Sequence, residues 1–274
     1  MSEKAVLNKK NNVWYYTFSI LSETSLVNHA FSTRHGGVSK EFYSAMNLSV
    51  RSGDTKENVD KNISVFCEAA GFDKEKIVMS NQTHSCAVKR ITEKDIGTGI
   101  SKPLFQEDAD ALITNVPGIV LMTFYADCVP VYLLDPRKKA IGLIHSGWRG
   151  TYGQIARIAA EEMGKAYGSK PGDIIAVIGP SICENCYEVS GELFDDFNQK
   201  FHGHSVTKER DDRVYLNLQQ AVRYTLLSAG LHEENIVVSD ICTCCNSELL
   251  FSHRASKGKR GLLAAMLSLR EDDE

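Results

Sequence analysis

The chain has 274 residues, 43% hydrophobic and 24% charged, with 20 glycines and 6 prolines. That mixture fits a globular protein able to bury a sizeable core and excludes disordered, collagen-like and coiled-coil chains. The 31 basic and 35 acidic side chains leave a net charge of −4, which excludes a broad nucleic-acid-binding field, so any basic site must be local.

Residues 13–20 and 27–32 read as strands and lead into the glycine turn Arg34-His35-Gly36-Gly37. Asp54 or Thr55 caps a helix running to about Ala70, which Gly71 stops. Residues 77–82 form a buried strand ending at Thr83-His84, residues 86–91 a short strand, and 93–107 a polar loop. Four apolar runs follow at 109–114, 119–125, 129–134 and 140–144, separated by turn residues, and we expect them to pair within one sheet. A helix over 150–167 ends at Gly168, and 173–178 is a strand entering Gly179-Pro180. Helices at 191–201 and 218–228, a strand at 236–238 and a last helix at 261–269 complete the chain, with 270–274 a short frayed acidic tail. Strands and helices mix without strict βαβ alternation, with no internal repeat and no linker. We therefore expect an α+β fold and a single domain over 1–274.

Eight cysteines, at 67, 86, 128, 183, 186, 242, 244 and 245, are the compositional oddity. Residues 1–12 lack the apolar core of a secretory signal, and no run approaches the roughly 18 apolar residues of a membrane helix. The expectation is a cytoplasmic chain without membrane or nucleic-acid partners, whose thiols stay reduced and serve packing, metal binding or catalysis.

Three potential metal ligands share a context. His84, Cys128 and His145 each follow or end a predicted strand, and if those strands lie side by side the three converge on one rim. Two imidazoles and a thiolate suit zinc, leaving a fourth position open, and Cu(2+) would also accept the set. The flanks Asp127 and Ser146-Gly147-Trp148-Arg149-Gly150 add carboxylate, hydroxyl, guanidinium and flexible backbone that a packed core would not need. A second reading makes Cys128 and His145 a nucleophile and its base, which leaves His84 without a role.

The chain resembles the YfiH/YlmD-type laccase-domain family, also called multicopper polyphenol oxidase-like or purine nucleoside phosphorylase-type proteins. The resemblance rests on ordered segments along nearly its whole length: Phe31 to Ser39, Asn47-Leu48, Asn58, Gln82-Thr83-His84, Asp108-Ala109-Asp110-Ala111, Ala126-Asp127-Cys128-Val129-Pro130, His145 to Thr151, Gly179-Pro180-Ser181-Ile182, Tyr187-Glu188-Val189 and Asp240-Ile241-Cys242-Thr243. It implies a mixed α/β sandwich rather than a cupredoxin laccase, with a zinc site at His84, Cys128 and His145. It also implies phosphorolysis of adenosine, inosine and S-methyl-5′-thioadenosine, with adenosine deamination as a side activity. The implied partners are purine nucleosides and phosphate. A copper laccase fits poorly, because a type 1 site plus a trinuclear cluster takes many His-x-His pairs and the chain has only His202-Gly203-His204, in a polar stretch that reads as a surface loop.

Phosphorolysis needs an anion pocket, a ribose anchor and help for the departing base. Arg34, Arg149, Ser181 and Arg254 are the candidate substrate contacts, arginine being suited to bidentate phosphate binding. The deaminase signature H-x-E with a downstream P-C-x-x-C is absent, so deamination would need another acid/base, with Asp127 or a water as candidates. The basic cluster Arg254, Lys257, Lys259 and Arg260 either borders the phosphate pocket or is a solvated turn. Cys183-Glu184-Asn185-Cys186 is a C-x-x-C, and Cys242-Thr243-Cys244-Cys245 follows later. A four-thiolate structural zinc or a redox pair is conceivable, but read as C-x-C-C the second half lacks the usual two-residue gap of a zinc site, so we expect ordinary thiols there. The remaining alternatives are a Cys/His hydrolase or amidase acting on cell-wall precursors and a non-enzymatic nucleoside- or metal-binding protein.

Overall fold

A computed structural model describes residues 3–271. In chain order the strands and helices are β1 (Ala5–Lys10), β2 (Val13–Phe18), α1 (Ser19–Ser22), β3 (Val27–Ser32), α2 (Lys56–Ala70), β4 (Ile77–Met79) and β5 (Val88–Arg90). There follow β6 (Ala111–Thr114), β7 (Val120–Tyr125), β8 (Val129–Asp135), β9 (Ala140–Ser146), α3 (Trp148–Tyr152), α4 (Ile155–Tyr167) and β10 (Ile175–Ile178). The last third holds α5 (Gly191–Lys200), β11 (Thr207–Arg210), β12 (Arg213–Leu216), α6 (Leu218–Ser228), β13 (Ile236–Val238) and β14 (Leu263–Leu269).

Two six-stranded sheets, in the orders β1-β2-β3-β14-β7-β4 and β13-β10-β8-β9-β6-β5, face each other. Phe31, Leu121, Leu263 and Leu267 from the first sheet meet Leu112, Tyr132, Leu143 and Val177 from the second in the inner core. The outer face of the first sheet packs on α2 through Phe66, Met122 and Met266. That of the second packs on α4 and α6 through Ile144, Ala159 and Val222. The result is a mixed α/β sandwich of four layers. Strands covered on both sides need no alternation of polar and apolar residues, and every residue of β6, β7, β8, β9 and β14 is buried.

Helix α2 is bounded as its sequence predicts: the Thr55 side chain accepts from the Asn58 N–H, and Gly71 closes the helix at φ 75°. Four expectations are corrected. The four apolar runs do not share a sheet, since β7 lies in the first and β6, β8 and β9 in the second. The helix expected over 150–167 is two helices, parted at Gln154, whose φ is 63°. Strand β1, which pairs with the expected β2, and the hairpin β11–β12 add strands beyond those expected. Finally, the last apolar run is a strand, pairing antiparallel with both β3 and β7. Its Leu-Ala-Ala-Met-Leu-Ser-Leu sequence favours a helix locally, but a central slot between two strands overrides that preference. Of the expected tail, Arg270 donates to the carbonyls of Leu26 and Val27 and Glu271 pairs with Lys76 at 2.6 Å, and 272–274 lie outside the described residues.

Candidate metal centre and anion pocket

The centre forms where the two sheets meet. The Gln82 amide stands in for a strand peptide beyond β4: its Nε2 donates to the Phe124 carbonyl at 2.8 Å and its Oε1 accepts from the Phe124 N–H at 2.7 Å. The chain then turns, with His84 at φ 64°. The buried Asp110 carboxylate, just before β6, accepts the backbone N–H groups of Thr83, His84 and Ser85 at 3.0, 3.1 and 2.9 Å. It also accepts the Nδ1 proton of His145 at 2.8 Å. One carboxylate therefore shapes the His84 loop and orients the His145 ring, leaving Nε2 of His145 to face a ligand.

Cys128 sits in the crossing from β7 to β8, after Asp127 at φ 93°. The Tyr125 hydroxyl donates to the Ile144 carbonyl at 2.9 Å, tying the end of β7 to β9 across the sandwich beside His145. Nitrogen and sulfur atoms of His84, Cys128 and His145 all lie within 4.8 Å of one another, and the two imidazole rings stand nearly perpendicular at 84°. The three thus converge, drawn from opposite sheets rather than from neighbouring strands of one. A Cβ on Gly147 would lie 2.8 Å from His84 Cδ2 and 3.3 Å from Cys128 Sγ, so the glycine keeps the space between the donors open.

Burial opposes ionisation of the Cys128 thiol, but the charge and hydrogen bond of His145, with those of His84, outweigh it and hold the pKa at about 6. Burial likewise opposes the imidazolium of His145, yet Cys128 and Asp110 raise it to about 9. The buried Asp110 is driven well below the usual carboxylate range by its His145 and backbone donors. The donor set fits a zinc ion: an ionised thiolate, two imidazoles and a carboxylate behind one of them.

The other candidates divide. Arg34 is anchored by Nε on the Ser44 carbonyl and Nη1 on the Ser247 carbonyl, both at 2.9 Å. It still lines a pocket of about 310 Å³ with Ser247, Ser252, Ser256, Lys259 and Arg260. Arg260 is the residue that the arginine motifs missed: its Nε is buried with no hydrogen-bond partner, and it lies close enough to feel the charges of Asp127 and Cys128. Arg149 is exposed and stacks on Trp148 at 4.2 Å. Tyr187, whose phenol burial raises to about 12, lies in the field of Cys128, Arg254 and Arg149.

Two further candidates sit within hydrogen-bond networks of the protein itself. Ser181 is fully buried, with its hydroxyl between Gln219 Nε2 and the Gly179 carbonyl. The two carboxylate oxygens of Asp127 accept from the Thr243 hydroxyl and the Arg254 N–H, both at 2.7 Å. Arg254 itself braces the Cys186 and Glu188 carbonyls at 2.9 Å. His202 is exposed and His204 lies against Tyr224, away from the centre. Among the described residues only one other group of potential ligands gathers, Cys183, Cys186, Cys242 and Cys245, which contains no histidine. A type 1 plus trinuclear copper set is not assembled among them. No helix among them is long and apolar enough to cross a membrane.

The chain is similar in sequence and fold to known proteins. The purine nucleoside phosphorylase YlmD of Bacillus subtilis (strain 168) is 32% identical over 244 residues, covering 88% of each chain. The adenosine deaminase RL5 of an unknown prokaryotic organism is 36% identical over 230 residues, 82% of this chain and 87% of that one. The crystal structure of YlmD from Geobacillus stearothermophilus superposes with a TM-score of 0.88 at 30% identity, covering 97% of this chain and all 100% of the other. Residues 28–270 match the family described as multi-copper polyphenol oxidoreductase laccase, and the chain belongs to that family.

Proposed function

We propose that the chain is a zinc-dependent purine nucleoside phosphorylase, acting on adenosine, inosine and S-methyl-5′-thioadenosine. The observation that carries this reading is the His84, Cys128, His145 cluster with Arg260 in the field of Cys128, Arg260 lining a pocket that also bears Arg34 and Lys259. A zinc ion held by Cys128 and the two histidines supplies a Lewis acid with one position open. Arg260, partly exposed, lines that pocket and offers its guanidinium to a phosphate, and Arg34, already fixed by two carbonyls, holds its charge at the same pocket without losing further freedom. Asp110 keeps the His145 ring and the His84 loop in register. Tyr187, neutral at physiological pH, is a proton donor for the departing purine ring. The products are the free base and ribose 1-phosphate, or methylthioribose 1-phosphate from the thio substrate. Adenosine deamination is proposed as a side activity, in keeping with the relative named for it.

The test is incubation of the purified protein with adenosine, with and without phosphate. Adenine and ribose 1-phosphate should appear only with phosphate, and adenine released equally without it would sink the phosphorylase reading. One observation favours a second reading: Cys128, His145 and Asp110 also stand in the order nucleophile, base and orienting carboxylate. A metal-free Cys/His hydrolase would keep full activity after chelation and lose it on alkylation of Cys128.

A further inference from the structure

On the far side of Asp127 from the centre just described, two loops bring four thiols together. Cys183 and Cys186 lie in the turn after β10, and Cys242 and Cys245 in the turn after β13. Parallel bridging at Ser181 and Cys242 registers the two loops, with the Ser181 N–H donating to the Ile241 carbonyl and the Thr243 N–H to the Ser181 carbonyl, both at 3.1 Å. The four sulfur atoms all lie within 4.8 Å of one another, and those of Cys186 and Cys245 are 3.5 Å apart. With Zn–S bonds of about 2.3 Å, a tetrahedral site sets its sulfurs roughly 3.8 Å apart, so small side-chain adjustments would close it. A disulfide needs sulfurs at about 2.05 Å and would use only two of the four.

Spacing and backbone agree with this chemistry. Paired as 183/186 and 242/245, the cysteines make two C-x-x-C units, Cys244 being an intervening residue rather than a ligand. The backbone N–H groups of Cys183 and Cys245 both donate to Cys242 Sγ, at 3.3 and 3.4 Å. Such donors stabilise a thiolate and are the sulfur's equivalent of the carboxylate behind a metal-bound histidine. Lys208 on β11 pairs with Glu184 of the first loop at 3.1 Å, Lys208 and Arg210 both reach Asn185 at 3.4 Å, and Arg254 donates to the Cys186 carbonyl, so three cations against one carboxylate surround a site whose four thiolates would outweigh one divalent ion by two charges.

We propose that Cys183, Cys186, Cys242 and Cys245 bind a second, structural zinc ion, distinct from the one at Cys128. Binding displaces the four thiol protons to solvent and leaves no open coordination position, so this ion clamps rather than reacts. It joins the loops that supply Thr243 and the Arg254 carbonyl partners, and through them it fixes the carboxylate of Asp127 next to Cys128.

Zinc content per chain, measured on the full-length protein purified with a thiol reductant, tests the proposal by comparing two neighbouring substitutions. Cys245→Ser should lower zinc by one equivalent relative to the wild type, whereas Cys244→Ser should leave it unchanged. Equal zinc in the two variants overturns the proposal. If Cys245→Ser does not fold, Cys128→Ala supplies the second measurement with all four thiols intact. It should retain one zinc, and after exchange for cobalt should show the intense sulfur-to-cobalt absorption of a tetrahedral thiolate site. A Cys128→Ala protein that retains no zinc and gives no such absorption overturns the proposal, as does a disulfide among these four cysteines that accounts for them in the reduced preparation.

Discussion

At Cys128, burial and charge act in opposite directions, and their balance can be read chemically. A thiol lowered from its ordinary 9.0 to about 6 contributes stability that is complete above 9.0 and lost as pH falls through 6. An imidazole raised from 6.5 to about 9 contributes stability that is complete below 6.5 and lost as pH rises through 9. Both describe the same thiolate–imidazolium pair, which in metal-stripped protein persists between about pH 6 and 9. Carbamidomethylation of Cys128 in that protein should therefore proceed at half its maximal rate near pH 6, and a midpoint displaced up to that of an ordinary thiol would show that His145 does not stabilise the thiolate. Arg260→Met removes the unpartnered guanidinium while keeping most of the side chain's length. Loss of a charged hydrogen bond worth about 1.5–3 kcal/mol should raise the KM for phosphate roughly 10- to 100-fold and leave the KM for nucleoside nearly unchanged. His84, Cys128 and His145 were legible in the sequence because each interrupts or ends an apolar run with a side chain the core has no use for. The role of Asp110 was not, since a lone carboxylate gains its meaning only from what packing sets opposite it, and Arg260 was visible only as one member of a basic cluster whose pocket packing alone defines.

Elements show the same division between local and distant causes. Helix α2 was readable from Thr55 to Gly71 because its start and stop signals are contained in the segment itself. Strand β14 was not, because nothing within Leu263–Leu269 reveals that β3 and β7 leave a slot for it. Leu267 is fully buried there, so Leu267→Ala should cost about 2–5 kcal/mol by denaturant unfolding, as for other leucines truncated in a packed core. An exposed helical site would give well under about 1 kcal/mol. The turn from β9 into α3 makes a different demand. Gly147 has φ −74° and ψ 178°, a backbone that any residue adopts, so its glycine is required by the donors around it rather than by its own conformation. Gly147→Ala should accordingly keep the fold, with an unchanged melting transition of the metal-stripped protein. It should lose most of its zinc at the Cys128 centre and at least tenfold in kcat/KM, since the new methyl occupies the space between His84 and Cys128.

For the whole molecule, the α+β character followed from the mixture of elements and the sandwich from the family resemblance, but the partition of strands between the sheets followed from neither. That partition matters, because the centre draws His84 and Cys128 from the ends of strands in one sheet and His145 from the other. A metal held across the interface binds the assembled sandwich and not the unfolded chain, so it stabilises by mass action. At free zinc about 100 times its Kd this amounts to about 2.7 kcal/mol for one site. Chelation should lower the melting temperature by several degrees and zinc should restore it, while a melting curve indifferent to zinc would show that the ion does not bind the folded protein in preference to the unfolded chain.

Strand β14 also sets the order in which the molecule can assemble. Its partner β3 precedes it by more than two hundred positions (Ala265 opposite Phe31), and β7 by more than a hundred (Leu263 opposite Tyr125). As the ribosome advances, β3 and β7 are complete long before the strand that joins them, so the nascent chain carries two unpaired apolar edges awaiting a common partner. The hairpin β1–β2 can form early from neighbouring residues, but the first sheet remains in two pieces until residue 269 has emerged. Closure of that gap is the long-range step, slowed by the long loop it must close. It is also the step that fixes β7, and with it the loop carrying Cys128, against the rest of the fold.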